Sequence, residues 1–445
     1  MFGYSMIQLV RSNAHRLDRS LREEILNLYK PFRWTPCFLH KFFEGSLRHM
    51  KKLPVIIEFE KDCHLEGTAE IARVTNNHFR SKVRGDFSKI SCCSADLSPS
   101  GLEEVLSSCR HVKKVYLNRK VHALLDKAVD SANAANVVRQ GRKLTGKGVT
   151  IAVIDTGIYP HQDLAGRIKG FKDFINDRPD PYDDNGHGTH CAGDAAGDGS
   201  ASSGQYIGPA PAADIVGVKV LDKMGSGSLD TVMQGVQWCM DYNENNPDNK
   251  IDIISMSLGS AAQSYESEND DPMVKIVEEA WASGIVVCVA AGNEGPDAGT
   301  IASPGISDQV ITVGALSDND TADTREDDDV ASFSSRGPTL FGKVKPDILA
   351  PGVNIVSLRS PNSYLDKLQK SNRIGVQYFV LSGTSMATPI CAGIVALILE
   401  QSPQAKPEDV KLLLMNGTDL WKDRNENIYG AGYINAENSV PESNS

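Results

Sequence analysis

No run of apolar residues in this chain approaches the roughly 20 needed to cross a bilayer. The longest, Ile285–Ala291 and Ile394–Leu399, have the length of core segments. An export signal is missing as well: Arg11 and His15 stand where its apolar centre would lie, and the first apolar stretch ends at Val10. These absences argue against a membrane partner and for a protein that stays in the cytoplasm. Cysteine is sparse, nine in 445 residues, an odd count with no CxxC pair. Reduced, buried thiols follow, and not a disulfide framework or a zinc-finger-like site. Adjacent Cys92 and Cys93 read as neighbouring positions on one strand. Basic charge is in deficit too: 46 Lys and Arg against 57 Asp and Glu leave a net −11. No cationic stripe is available to neutralise phosphates, which excludes a nucleic-acid partner. What remains is ordinary for a globular chain, with 40% hydrophobic and 23% charged residues, so neither wholesale disorder nor a coiled coil is favoured.

Four stretches differ in character. Residues 1–50 form an N-terminal extension, with helical periodicity at Leu17, Leu21, Ile25 and Leu28 and an aromatic, basic second half holding Phe32, Trp34, Phe38, Phe42 and Phe43. Residues 51–125 alternate strand, helix, strand, helix, strand: Pro54–Phe59, a helical stretch, Phe87–Leu97, a helix opening at Ser98 or Pro99, and Val112–Tyr116, continued by Val121–Leu125. Ser and Pro suit a helix start, and Glu103 and Glu104 suit its first turns. The pattern is that of a small α+β, ferredoxin-like sheet. Residues 126–147, polar and alanine-rich, read as a linker. Residues 148–440 repeat strand and helix, with strands as nearly continuous apolar runs: Val149–Ile154, Ile215–Val220, Ile251–Met256, Ile285–Ala290 and Val310–Val313. Such runs fit a sheet buried on both faces. The expected fold class is therefore α/β, a doubly wound, mostly parallel sheet whose ligands bind beyond the carboxyl ends of the strands.

Three polar islands break the apolar pattern. Asp155-Thr156-Gly157 follows the first strand of the large domain. Alone it reads as a turn cap; as an aspartic protease motif it lacks a second DTG or DSG. Asn185-Gly186-His187-Gly188-Thr189-His190-Cys191 surrounds a histidine with glycines, which lets other backbone approach and leaves the imidazole accessible. His187 and His190 share a helix face, but Gly188 and Thr189 supply neither the acidic base nor a further ligand of a zinc peptidase. No metal ligand is assigned. Ser382-Gly383-Thr384-Ser385-Met386-Ala387-Thr388-Pro389 puts Ser385 at the start of the apolar helix Ile390–Glu400, where unpaired N–H groups favour developing negative charge. Singly it is no more than a helix cap. Together, Asp155, His187 and Ser385 supply what an activated hydroxyl nucleophile requires: a base to take its proton and a carboxylate to fix that base.

The order Asp, His, Ser and the local sequences resemble the subtilisin-like serine proteases, the subtilase family, over about residues 135–440. With its unusual N-terminal part and intracellular-type cysteines, the whole chain is most similar to the intracellular, AprX-type group of bacilli. The resemblance implies a serine endopeptidase with Ser385 as nucleophile, His187 as base and Asp155 as its orienter. It implies Asn293, in Ala290-Ala291-Gly292-Asn293, as the oxyanion donor. Gly225, Ser226, Gly227 and Ser257, Leu258, Gly259 become the strips flanking an extended polypeptide substrate, with Ala290, Ala291 and Gly292 on one wall of a roomy, uncharged pocket. That pocket leads to an expectation of broad cleavage after large apolar residues. No cofactor is implied for the chemistry. Structural calcium is common in the family; Asp163-Leu164 resembles one end of such a site, although 197–208 gives no clear ligand series and the acidic stretches 266–271 and 318–329 read as solvated loops. Residues 53–125 resemble the family's propeptide, implying that the chain's own N-terminal region is an intramolecular inhibitor or folding aid. A cleavage junction would fall between Arg119 and Asn136. The competing function is a catalytically silent subtilase fold that only grips peptides. Since His187 must be neutral to act as base, activity is expected to fall below about pH 6–7.

Overall fold

The computed structural model describes residues 5–29, 51–88, 91–117, 125–319, 321, 325–420 and 425–442. Its contacts divide into two units, Met1–His122 and Ala123–Ser445.

The first unit opens with helices α1 (Ser5–Ser12) and α2 (Arg19–Tyr29), followed by β1 (Leu53–Phe59), α3 (His64–Asn77), β2 (Lys82–Phe87), β3 (Cys92–Leu97), α4 (Pro99–Ser108) and β4 (Val112–Leu117). The strands form an antiparallel sheet in the order β2-β3-β1-β4. Leu53, Val55, Ile57 and Phe59 alternate with half-exposed residues along β1, so one face of the sheet is buried. They pack with Ile71 and Val74 of α3 and Leu102, Val105 and Leu106 of α4. Ser98 caps α4 by accepting from the Gly101 N–H at 3.1 Å, with Pro99 in its first turn. The expected strand Phe87–Leu97 is in fact β3 alone, preceded by a turn from a further strand, β2, that ends at Phe87. β2 is an edge strand with an exposed or half-exposed side chain at every position, and a polar edge carries no apolar signal. Met6, Ile7, Val10, Leu17, Leu21 and Ile25 join the same core, so the first helices belong to this unit and do not form a separate extension. The aromatic residues of 30–50 and the strand continuation over 121–124 lie outside the described residues; Leu125 begins a helix.

The second unit runs α5 (Leu125–Ser131), β5 (Val138–Arg139), β6 (Arg142–Lys143), β7 (Thr150–Asp155), β8 (Ile168–Asp173), α6 (His187–Ala196), β9 (Asp214–Lys219), α7 (Leu229–Asn245), β10 (Ile253–Met256), α8 (Pro272–Ala282), β11 (Val286–Ala290), β12 (Ile311–Ser317), β13 (Asp329–Val330), β14 (Ile348–Pro351), β15 (Ile355–Leu358), α9 (Tyr364–Leu368), β16 (Arg373–Ile374), β17 (Tyr378–Leu381) and α10 (Thr384–Gln401), with short helices beyond. The large sheet has the order β13-β12-β11-β10-β7-β9-β8, with β14 also on β12, and is parallel except for β13. From β7 the chain passes first to the edge strand β8 and returns to place β9 between them, then builds outward through β10, β11 and β12 on the other side. β7 and β10 thus flank the switch point, beyond whose carboxyl ends a ligand crevice forms. Helix α10 is apolar enough to cross a membrane by composition, yet 89% of it is buried inside this unit. It is the core helix against β10, β11, β12 and β14.

Residues 126–147, expected as a linker, are part of the body of the second unit. Ala128, Val129, Ala132, Ala134, Val137 and Leu144 lie in its main core. The stretch has few large apolar residues, and its alanines bury without producing a strong periodic signal. Arg139 is 2% exposed. It donates to the Val440 carbonyl at 3.1 and 2.9 Å and to Glu437 Oε1 at 2.7 Å, pinning the hairpin to the far end of the unit. Truncating it orphans the buried carbonyl. Glu437 is half exposed, so its charge adds little. Arg139→Ala is therefore expected to cost about 2–3 kcal/mol, lowering the Tm of the second unit by roughly 4–8 °C in a thermal melt. An unchanged Tm would mean that the hairpin is a loose linker after all.

Candidate active site

The site grows from the end of the central strand. β7 stops at Asp155 because Gly157 takes φ of +115°, and a Cβ there would meet the Tyr182 carbonyl oxygen at 2.2 Å. Asp155 is fully buried. Its Oδ1 accepts from the Thr156 N–H at 2.7 Å and faces His187 Nδ1 at 2.8 Å, with Oδ2 at 3.0 Å from the same nitrogen. The carboxylate thus fixes the hydrogen on Nδ1 and leaves the Nε2 lone pair for a substrate-side partner. His187 opens α6 directly after Gly186, whose φ of +108° only glycine tolerates easily. Burial alone would lower the imidazole's pKa, but the adjacent Asp155 charge outweighs it and holds His187 well above its ordinary value of 6.5.

Sequence reasoning missed the residues that hold this pair. Asp183 is buried and accepts from five donors: Thr156 Oγ1, the N–H groups of Asn185, Gly186 and Thr189, and Thr189 Oγ1. One carboxylate therefore ties the turn after Asp155 to the turn before His187 and to the first turn of α6. Lys219, fully buried at the end of β9, donates to the carbonyls of Thr156 and Leu221 and to Asp184 Oδ1 at 2.6, 2.8 and 2.8 Å. For Lys219 the signal available was a charge interrupting the apolar strand Ile215–Val220; Asp183, in a polar stretch four residues before His187, gave none of that kind.

Ser385 is the second residue of α10, so its N–H belongs to the unpaired first turn. Its Oγ donates to the Ser257 carbonyl at 3.2 Å and not to His187, while its own carbonyl accepts from Ser257 Oγ at 2.7 Å and Cys191 Sγ at 3.4 Å. Cys191 Sγ also lies 3.8 Å from His187 Nδ1, so α6 and α10 bring base and serine to one place. Asn293 follows Gly292, which has φ of +107°. Its Oδ1 accepts from Thr384 N–H at 2.9 Å and Thr384 Oγ1 at 3.1 Å. These two donors identify the oxygen and leave the amide hydrogens of Nδ2 for another acceptor.

Two cavities adjoin these groups. One, of about 550 Å³, lies between Gly225–Gly227 and Ser257–Gly259 and includes His187. The other, of about 540 Å³, is lined by Ala290, Gly292, Asn293, Ser385 and again Ser257, Leu258 and Gly259. Ala291 lines neither; it is fully buried with Val274, Ile301 and Ile306, because successive residues of extended chain face opposite sides. The second cavity carries no charge apart from exposed Glu294, which was not anticipated on its wall; apolar Leu258, Ala290, Ile301, Ala302 and Leu340 alternate there with hydroxyl and amide side chains.

Metal chemistry finds no support in these residues. His190 turns from His187: its Nδ1 is 3.0 Å from Asp194 Oδ2 and its Nε2 is 3.2 and 3.1 Å from the Ile355 and Phe379 carbonyls. Among the described residues the one cluster of potential ligands is Asp155, His187 and Cys191. Burial pushes the Cys191 thiol up to about 11, so it keeps its proton at neutral pH. Asp163 does not fit calcium either. Its Oδ1 accepts from the Ala201 N–H at 2.8 Å and Ser200 Oγ at 3.3 Å, and its Oδ2 accepts from the Tyr378 hydroxyl at 2.7 Å. Calcium requires converging oxygens, and an N–H aimed at the carboxylate is the opposite polarity.

Comparison with known proteins agrees with this geometry. Residues 146–432 match the subtilase family. The chain is 66% identical to serine protease AprX of Bacillus subtilis (strain 168), over 99% of this chain and all of that one. It is 36% identical to Subtilisin Savinase of Lederbergia lenta, over 66% of this chain and 92% of that protein. Among solved structures, a cold adapted subtilisin-like serine proteinase aligns over 70% of this chain and 98% of its own, with a TM-score of 0.52 and 30% identity.

The Asp155 charge sets the His187 titration. NMR of the ring should show its midpoint above 6.5, and Asp155→Asn should bring it to 6.5 or below, since burial then acts without the carboxylate. An unmoved midpoint in the variant would remove Asp155 from this role.

Proposed function

Since the chain belongs to the subtilase family and is a subtilisin-like serine endopeptidase, we propose that Ser385 is its nucleophile, His187 its general base, Asp155 the orienter of that base and Asn293 an oxyanion donor. The observation that carries this reading is the Asp155–His187 contact at 2.8 Å, on the Nδ1 side that leaves Nε2 basic. In the reacting state Ser385 Oγ leaves the Ser257 carbonyl for His187 Nε2. The alkoxide attacks the peptide carbonyl as its proton passes to Nε2, and Asp155 stabilises the imidazolium so formed. Negative charge on the carbonyl oxygen meets Asn293 Nδ2 and the Ser385 N–H. The imidazolium then protonates the leaving amine, and water hydrolyses the acyl-enzyme by the reverse path. Subtilases need no cofactor for this chemistry.

The substrate is a polypeptide. Cavity shape supports an apolar side chain before the cleaved bond, in the space beside Gly292 and Ser385. The first unit supports a propeptide-like role through its sheet order β2-β3-β1-β4, with this region as the chain's own inhibitor or folding aid. Eight free cysteines among the described residues, with no disulfide, favour work in the cytoplasm.

A fluorophosphonate probe should label the wild type and leave Ser385→Ala blank; label surviving that substitution overturns the assignment. A wild type that binds peptides but resists the probe would be the silent, gripping form. Asn293→Ala should still label but lose about 10²–10³ in kcat, a magnitude measured for one such donor in a subtilisin. With His187 held above its ordinary value, the acid limb of kcat/KM should lie above pH 6.5, higher than the unperturbed histidine implies. Full activity at pH 5 would contradict a His187 base.

A further inference from the structure

The cavity of about 550 Å³ has two ends. Leu229 and Val232 of α7 and Met273 of α8 wall one; His187, Leu221 and Leu365 wall the other. A peptide extended between Gly225–Gly227 and Ser257–Gly259 sends alternate side chains to the same side, about 6.6–7 Å apart. With the residue before the cleaved bond in the space beside Ser385 and Asn293, the second and fourth residues before that bond share this cavity. The second faces His187, and the fourth reaches the α7 and α8 end.

Leu365 comes from neither strip. It sits on α9, in an excursion of the chain from Arg359 to Gln377 between β15 and β17. A five-residue helix cannot hold itself in water, and this one is fastened on both sides. Toward the site, the N–H groups of Tyr364 and Leu365 donate to the carbonyls of Asp184 and Asn185 at 2.8 and 3.0 Å, within three residues of His187. Ser360 Oγ donates to the Asp183 carbonyl at 2.6 Å. Away from it, buried Asp366 accepts from Arg359 Nε and Nη2 at 2.5 and 3.0 Å, from Arg373 Nε at 2.6 Å and from the Asn362 N–H at 2.9 Å. Burial alone would raise the Asp366 pKa, yet the two guanidiniums take it down to about 2. The neighbours of Leu365 on both sides are therefore fixed, and its side chain is presented to the cavity at a set depth.

We propose that Leu365 is a specificity-determining residue: with Leu221 it closes the compartment beside His187, which then accepts a small apolar side chain at the second position before the cleaved bond and rejects a large or charged one. This rests on the reading of Ser385 and His187 as the reacting pair. It concerns a wall supplied by the α9 excursion, apart from the two strips that hold the substrate backbone.

The test uses the full chain and fluorogenic peptides that share Phe before the cleaved bond and vary one position at a time. In the wild type, kcat/KM should favour Ala over Phe at the second position by roughly tenfold or more. Leu365→Ala should raise the Phe-to-Ala ratio by roughly tenfold, the scale on which a pocket registers lost methylenes, while the ranking at the fourth position stays as in the wild type. Leu365→Val should move the ratio the same way by less, and serves if the alanine variant does not fold. Leu368→Ala, on the 63% exposed side of the same helix, should leave the ratio at its wild-type value. A ratio unmoved in both Leu365 variants, or a change at the fourth position instead, overturns the proposal, provided the variants still take the fluorophosphonate. Failure of the wild type to take the probe would overturn the underlying reading of Ser385 and not that of Leu365.

Discussion

One carboxylate, buried at the end of the central strand of an apolar sheet, is the constraint around which the catalytic unit is arranged. Asp155 is fully buried, and an isolated charge in such a place would be expensive. Its oxygens are met by the Thr156 N–H and by His187 Nδ1, so the polar contacts that make this burial tolerable also orient the imidazole. Gly188 answers to that closeness. A Cβ on Gly188 would sit 2.3 Å from the Gly157 carbonyl and 3.1 Å from Asp155 Cβ, so the turn after β7 and the start of α6 can meet only without side chains.

A second tier of buried charge keeps the first in register. Asp183 and Lys219 touch neither the reacting serine nor the basic nitrogen, yet each spans both the Asp155 turn and the turn before His187. Each is held by several donors or acceptors, the condition under which a buried ionic group is tolerable. The Arg359–Asp366–Arg373 cluster repeats the device one layer out and ends on the same Asp183–Asn185 segment. Three buried ionic knots thus converge on the six residues ahead of the catalytic helix. They specify geometry where an apolar core, being non-directional, would not.

How legible was this beforehand? The α/β class, the parallel strands and the turns that carry Asp155, His187, Asn293 and Ser385 could be read because they rest on long apolar runs and on motifs whose glycines mark close approaches. Elements with little apolar content were not readable: the polar edge strand β2 and the alanine-built stretch 126–147. The partners of Asp163 were hidden for a related reason. Its sequence context shows a carboxylate near a loop, while its hydrogen-bond donors, Ala201 and Tyr378, come from 38 and 215 residues away. Polarity at a buried carboxylate is decided by long-range partners, and local spacing carries no record of them. The same limit hid Leu365, an unremarkable leucine until the chain returns it to Asn185.

The serine and the rest of the site are held by different kinds of force, and that division has a functional logic. Ser385 begins the most apolar helix of the unit, nearly all of it buried, so the nucleophile and its N–H are placed by packing with the whole core. His187, the Asn293 amide and Leu365 hang instead on directional polar contacts, at Asp183, Thr384 and Asp366. Packing resists displacement of the backbone but leaves a side-chain rotation free, so Ser385 Oγ, held here by the Ser257 carbonyl, can still turn. Polar ties do the converse, fixing the direction of an imidazole or an amide to a few tenths of an ångström. A mechanism in which one oxygen swings between fixed partners requires that assignment of roles, with the mobile group on the rigid helix and the aimed groups on the tied loops.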